Sequence, residues 1–171
     1  MTGDVRLRDV IDSDLPIFFQ QQLESEANQM AAFTAPRDPA DRGAFMAHWE
    51  KLRHNDTIYL KTILSNEQVA GNMVSFVISG EREVGYWLGK EFWGKGIATR
   101  ALKEFLGIVK ERPLYAHAAK DNIASLRVLE KNGFKICGDG KLFAYARGKE
   151  VEEYVLKLEE PAEKKQNHQP G

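Results

Sequence analysis

The stretch "DVRLRD" alternates, with Val5 and Leu7 set between charged neighbours, and this period of two predicts a short first strand. The period then lengthens. In "DSDLPIFFQQQLESEA", residues 12–27, Leu15, Phe18, Phe19 and Leu23 fall on one helical face, with Ser13 or Asp14 as cap and Pro16 in the first turn. "PRDPADRGAFMAHWEKL" opens a second helix, with Asp38 as cap, Pro39 just inside it, and Phe45, Trp49 and Leu52 on the buried stripe. Two β segments follow, Thr57 to Leu64 and Gln68 to Ile78, joined by a hairpin turn at "SNE". After "SGERE" a further strand runs from Glu83 to Leu88.

Helical spacing returns between Gly94 and Val109, where Ile97, Ala101, Phe105 and Ile108 share a side and Pro113 bars continuation. "LYAHA" is a short strand. "DNIASLRVLEKNGF" carries helix punctuation at both ends, an Asx cap first and Gly133 as a left-handed stop. "FKICG" and "VEEYVLKL" predict two last strands. One strand, two helices, three strands, helix, strand, helix and two strands make a single mixed α/β sheet, in one domain over residues 1–160. Residues 161–171 are polar and proline-tipped and read as a disordered tail.

Composition removes several classes of partner. The chain of 171 residues has a net charge of −1, which gives no support to a nucleic acid or a membrane surface as partner. It has no apolar run of membrane-spanning length, and "MTGDVRLRDVIDSD" lacks the apolar segment of a signal peptide. Cys137 is the only cysteine, so no internal disulfide forms, and a reducing, cytoplasmic setting is expected. Its apolar strand makes Cys137 a core residue. The four histidines have no metal-ligand spacing, and His117 reads as a packed or surface strand residue.

The segment that pattern alone leaves unexplained is "GKEFWGKGIAT", with glycines placed at the start of a helix. One reading is a tight strand-to-helix turn. A second is a nucleotide P-loop, since Gly89 to Lys95 satisfies G-x-x-x-x-G-K. The residue that must then be Ser or Thr is Gly96, and Trp93 and Phe92 crowd a phosphate cradle. A third is a different pyrophosphate site. Backbone N–H groups from Gly94 to Ala98 would face the anion, the helix start adds about half a positive charge, and Lys95 screens more. Coenzyme A suits this third reading, because its amide-bearing arm can pair with an open strand edge at "YWL".

With "EVGYWLGKEFWGKGIATRAL" and, downstream, "NIASLRVLEKNGF", the chain resembles the GNAT superfamily of acetyl-CoA-dependent N-acetyltransferases, and within it the RimJ/RimL-like branch. The family's order of elements covers about Val5 to Leu158. The resemblance implies a mostly antiparallel sheet whose central strand pair is splayed by a bulge in the fourth strand. It implies acetyl-CoA as cosubstrate, no metal, and direct attack by a primary amine of a protein N-terminus or a small molecule, in a monomer or homodimer. Gly94 and Gly96 match the two small positions of the family's pyrophosphate loop, with Trp93, Lys95, Ile97 and Ala98 around them. Glu91 stands where the family has Gln or Arg, so that side chain is no phosphate ligand. Trp87 and Leu88 match the splayed strand end, and Asn122 the asparagine beside the coenzyme arm.

For chemistry, an ammonium must first lose a proton. An α-amine, titrating near about 8, needs less help than a lysine at about 10.4. Glu83 matches the family's base position and by alternation shares a face with Gly85 and Trp87; a solvated strand-end charge is the competing role. Glu24 is a second candidate base. Leu129 replaces the tyrosine that many relatives use as acid, and Ser125 matches the serine proposed as proton donor in this branch, though it also suits the helix cap at Asn122. The oxyanion would meet a backbone N–H near Leu88. A non-catalytic acyl-CoA-binding module and a P-loop nucleotide-binding protein are the alternatives.

Overall fold

The computed structural model describes residues 4–24, 38–144 and 147–160. Seven strands form one sheet: β1 (Val5–Arg8), β2 (Tyr59–Ser65), β3 (Gln68–Ile78), β4 (Glu81–Leu88), β5 (Leu114–Ala119), β6 (Lys135–Ala144) and β7 (Lys149–Leu158). Their order across the sheet is β1-β2-β3-β4-β5-β7-β6. Every neighbouring pair is antiparallel except β4 and β5, which are parallel and pair at one position, Glu83 with Tyr115. Among the described residues four helices flank the sheet: α1 (Leu15–Gln22), α2 (Arg42–Arg53), α3 (Ile97–Leu106) and α4 (Ile123–Lys131).

Alternation sorts the apolar residues onto two faces. Tyr59, Ile63, Met73, Val84 and Leu88 pack with Leu102 and Phe105 of α3 and Leu129 of α4. Leu60 and Val69 pack instead with Phe18 and Phe19 of α1 and Phe45 and Trp49 of α2. The ring centroids of Phe18 and Trp49 lie 5.0 Å apart. Ala70 is the extra residue of a bulge, since Ile63 pairs with Gly71 and Leu64 with Val69. The bulge keeps both Val69 and Met73 on their proper faces despite their shared parity.

Gly71 lets β3 approach β4. A Cβ there would collide with the Trp87 carbonyl oxygen, so only glycine permits this ladder. The β3–β4 register runs unbroken from Gly71–Leu88 to Ile78–Glu81. The splay next to it therefore arises without the bulge expected in the fourth strand.

Other expectations are also corrected. Asp41, not Asp38, caps α2, accepting from the Ala44 N–H at 3.0 Å, because Pro39 and Ala40 first complete a turn. A single 3-10 turn, Asp12–Asp14, leads into α1, so neither Ser13 nor Asp14 caps it with a side chain. Leu23 lies past the end of α1 and is exposed. The expected continuation of that helix to residue 27 and the tail at 161–171 lie outside the described residues. β6 runs on through Gly138 and Gly140, with Cys137 as the exposed extra residue of a bulge rather than a core group. Among the described residues no helix is long and apolar enough to cross a membrane.

Asp14 ties the first helix to the sheet. Its carboxylate is 1 % exposed and accepts from Arg8 at 2.8 and 2.9 Å, Thr62 Oγ1 at 2.6 Å and the Ile11 N–H at 3.0 Å. Burial pushes the Asp14 carboxyl up, but these hydrogen bonds outweigh it and hold the group below the usual carboxylate range. Asp14→Ala should lower unfolding stability by about 2–3 kcal/mol at pH 7, since it strands Arg8 and Thr62. The loss should shrink as the pH falls from the ordinary carboxylate range through the lower pKa of folded Asp14, below which the group is protonated in both states. Urea unfolding of both proteins at two pH values checks this.

Candidate active site

A cavity of about 700 Å³ opens where β4 and β5 part. Its lining draws on both faces of the sheet. On the α1/α2 face stand Glu83, Gly85 and Trp87, as alternation predicts, and on the other face Val84, Tyr86, Leu102, Ser125 and Leu129. The cavity therefore passes through the sheet.

Glu83 is not a solvated strand-end charge. Its Oε2 lies 3.2 Å from His117 Nε2, and His117 Nδ1 lies 3.1 Å from Glu153 Oε2. Two acids thus flank one imidazole. Glu83 hydrogen bonding raises the His117 pKa to about 9, helped by Glu153 and opposed by partial burial. At neutral pH the ring is an imidazolium that donates one N–H to each carboxylate. Glu153 is 5 % exposed, and its Oε1 has no hydrogen-bond partner among the described residues. His117 is thus a member of the site, not merely a packed strand residue.

On the opposite face, Asn122 Oδ1 accepts from the Ser125 N–H at 3.2 Å and caps α4, so the capping role is real. Ser125 keeps a second contact. The Tyr86 hydroxyl donates to Ser125 Oγ at 3.4 Å, a long hydrogen bond. Burial raises the Tyr86 pKa, against a lesser lowering by that bond, so the phenol stays protonated. Leu129 is 3 % exposed and fills core.

Gly94 and Gly96 flank Lys95 in an exposed loop before α3. Both have left-handed backbones, φ +73° and +75°, and a Cβ on either would meet nothing within 4 Å. The glycines therefore serve backbone conformation and leave open space outside the loop. The first N–H groups of α3, from Ile97 and Ala98 onward, lack intrahelical acceptors. The Trp93 indole donates to the Leu88 carbonyl at 3.0 Å, which fixes the loop to the end of β4. Glu24 lies outside the cavity lining, 3.7 Å from Lys90 Nζ.

This architecture has known counterparts. The sequence model of the family described as "Acetyltransferase (GNAT) domain" matches residues 4–135, most of the chain. The chain belongs to the GNAT acetyltransferase family. Enzymes of this family use acetyl-CoA as cosubstrate, and this protein is an acyltransferase of that kind. No curated protein sequence matches it significantly. Among solved structures it is similar to the RimL ribosomal-protein α-N-acetyltransferase in complex with coenzyme A, with 21 % identity, 90 % of this chain and 94 % of that chain covered, and a TM-score of 0.74. Mycobacterium smegmatis RimJ in complex with a CoA disulfide shares 21 % identity over 95 % and 84 %, with a TM-score of 0.77. Spermidine N-acetyltransferase from Vibrio cholerae, in complex with CoA and spermine, shares 16 % identity over 91 % and 95 %, with a TM-score of 0.77.

The members that sequence reasoning missed are Tyr86, His117 and Glu153. The first was within reach, since Tyr86 must point to the face opposite Glu83. The other two depend on the β5–β7 register, which pairs Ala119 with Glu153 and so sets Glu153 diagonally beside His117. The His117 ring should titrate at about 9 by NMR, not at its ordinary 6.5. Because the folded value is raised, its stabilising contribution is full below pH 6.5 and is lost as the pH rises through about 9. Glu83→Gln should bring the titration back toward 6.5, and a wild-type midpoint near 6.5 would contradict the cluster.

Proposed function

We propose that the protein transfers acetyl from acetyl-CoA to a primary amine by direct attack within a ternary complex. The observation that carries this reading is the cavity through the sheet, with the Glu83–His117–Glu153 cluster on one face and Tyr86 with Ser125 on the other. An amine and a thioester can then approach from opposite sides and meet at the parting strands.

In this reading the Gly94–Lys95–Gly96 loop and the N–H groups of Ile97 and Ala98 hold the coenzyme's pyrophosphate, with the α3 dipole adding favourable potential. Trp93 contributes by fixing the loop, and Asn122 by fixing the start of α4 beside the coenzyme arm. The backbone of Trp87 and Leu88 borders the arm. The Trp87 side chain belongs to the amine face.

Glu83 accepts the proton from the incoming ammonium, held in orientation by the His117 imidazolium, while Glu153 fixes the far side of that ring. The Leu88 N–H meets the developing oxyanion. Ser125 Oγ–H serves the departing thiolate, with Tyr86 as the neutral donor behind it. A thiol of pKa about 8.5 leaves readily, so a hydrogen bond there suffices. A non-catalytic acyl-CoA-binding module would have no use for an acid–imidazole–acid cluster lining the cavity. A P-loop protein needs Ser or Thr where Gly96 stands. A cytoplasmic setting belongs to this reading, since an exposed, unpaired Cys137 suits a reducing compartment.

Glu83→Gln should lower kcat/KM by about 10²- to 10⁴-fold near neutral pH. The deficit should narrow as the pH rises and the acceptor supplies its own free base. The pH profile of kcat/KM on one active amine, for both proteins, checks this. Profiles of equal height and shape would remove Glu83 from the mechanism.

A further inference from the structure

The amine side of the cavity is a chamber with a mostly apolar wall, the neutral amides of Gln22 and Asn72, and one anionic point. Phe18, Phe45 and Trp49 close it from the helices, Phe76 and Ile78 line it from β3, and Leu142 from β6. Phe76 is the direct ladder partner of Glu83, so an aromatic ring lies beside the base. The lining contains two carboxylates, Glu83 and Glu153, and both contact the same imidazole. Two carboxylates around one imidazolium leave a single negative charge in excess, at a single place. His48, exposed on α2, is the one other ionisable side chain of charge-bearing type among the described lining residues, which include no Lys and no Arg.

These walls discriminate among amines. An acceptor with its own carboxylate would bring an anion into a mostly apolar chamber beside Glu83 and Glu153, with no lysine or arginine of the described lining to meet it, a like-charge juxtaposition that disfavours it. A polyamine would satisfy one ammonium at Glu83 and leave its second among apolar walls and the neutral amides of Gln22 and Asn72, with no carboxylate of the described lining away from His117 to meet it. A single ammonium on an uncharged apolar body meets both features at once. Its charge sits by Glu83 and the Phe76 ring face, and its body covers the aromatic wall.

We infer that the acceptor is a primary amine borne on an uncharged aromatic or aliphatic body, with no acidic group and no second cation. This rests on the N-acetyltransferase reading above. Both a free arylalkylamine and the amino end of a peptide with an apolar first residue present this chemistry.

The test is thiol release from acetyl-CoA by the full chain, with 2-phenylethylamine, phenylalanine, spermidine, propylamine and a short peptide beginning with phenylalanine. We expect kcat/KM for 2-phenylethylamine to exceed that for phenylalanine and for spermidine by about tenfold or more. Its amine is more basic than that of phenylalanine, so free-base availability works against this result. Preference for the peptide over 2-phenylethylamine assigns the source as a polypeptide amino end; the reverse assigns a small amine. In Phe76→Ala the ratio of 2-phenylethylamine to propylamine should fall about tenfold, a ratio that partial unfolding does not alter. Preference for phenylalanine or spermidine, or an unchanged ratio in Phe76→Ala, overturns the acceptor assignment and leaves the transferase reading intact. No turnover of any amine, with acetyl-CoA still binding, overturns both.

Discussion

β4 and β5 are parallel neighbours that meet at one register position, Glu83 with Tyr115, and then part. Everything else in the site depends on that geometry. Neither strand can swing across to close the gap. β4 is held by an unbroken ladder to β3, at a spacing that Gly71 alone permits, and β5 by six consecutive pairs to β7. Strand backbone left unpaired inside a protein is costly, so a gap of this kind calls for a partner. The Gly89 N–H is directed at Ala70 of β3 at 2.8 Å. Alternation then turns the N–H groups of Tyr86 and Leu88 toward the opening, the arrangement that an amide-bearing arm can extend as an added strand.

Because the gap lies within a sheet, its two mouths are chemically independent. Odd positions of β4 face α1 and α2, and even positions face α3 and α4, so a single strand supplies Glu83 to one side and Tyr86 to the other. In the proposed mechanism this keeps the carboxylate that takes a proton apart from the hydroxyls that serve the leaving group. The His117 imidazolium performs a further separation. It compensates one of two nearby carboxylates, without which Glu83 and Glu153 would repel each other across the ring.

Much of this was legible in the chain itself. The glycine pair marks the loop before α3, where both residues take the left-handed backbone that glycine permits; the alternation of β4 places Glu83, Gly85 and Trp87 on one face. The missed features share a physical cause. His117 and Glu153 are 36 residues apart, and nothing local to either residue announces the other. Asp38 reads as a cap because Pro39 follows it, yet the chain spends one more turn before Asp41 takes the role. Gly138 and Gly140 suggest a break in β6, but pairing to β7 along ten residues outweighs their weak strand preference.

The central claim is that the parted edge of β4 receives the cosubstrate, and residue-resolved amide exchange tests it most directly. With acetyl-CoA at saturation, the Tyr86 and Leu88 N–H groups should exchange markedly more slowly, together with Ile97 and Ala98 at the start of α3. Amides of β4 already bonded to β3 should change little. Saturable binding with unchanged exchange at Tyr86 and Leu88 would show that the coenzyme arm lies elsewhere and contradict the account.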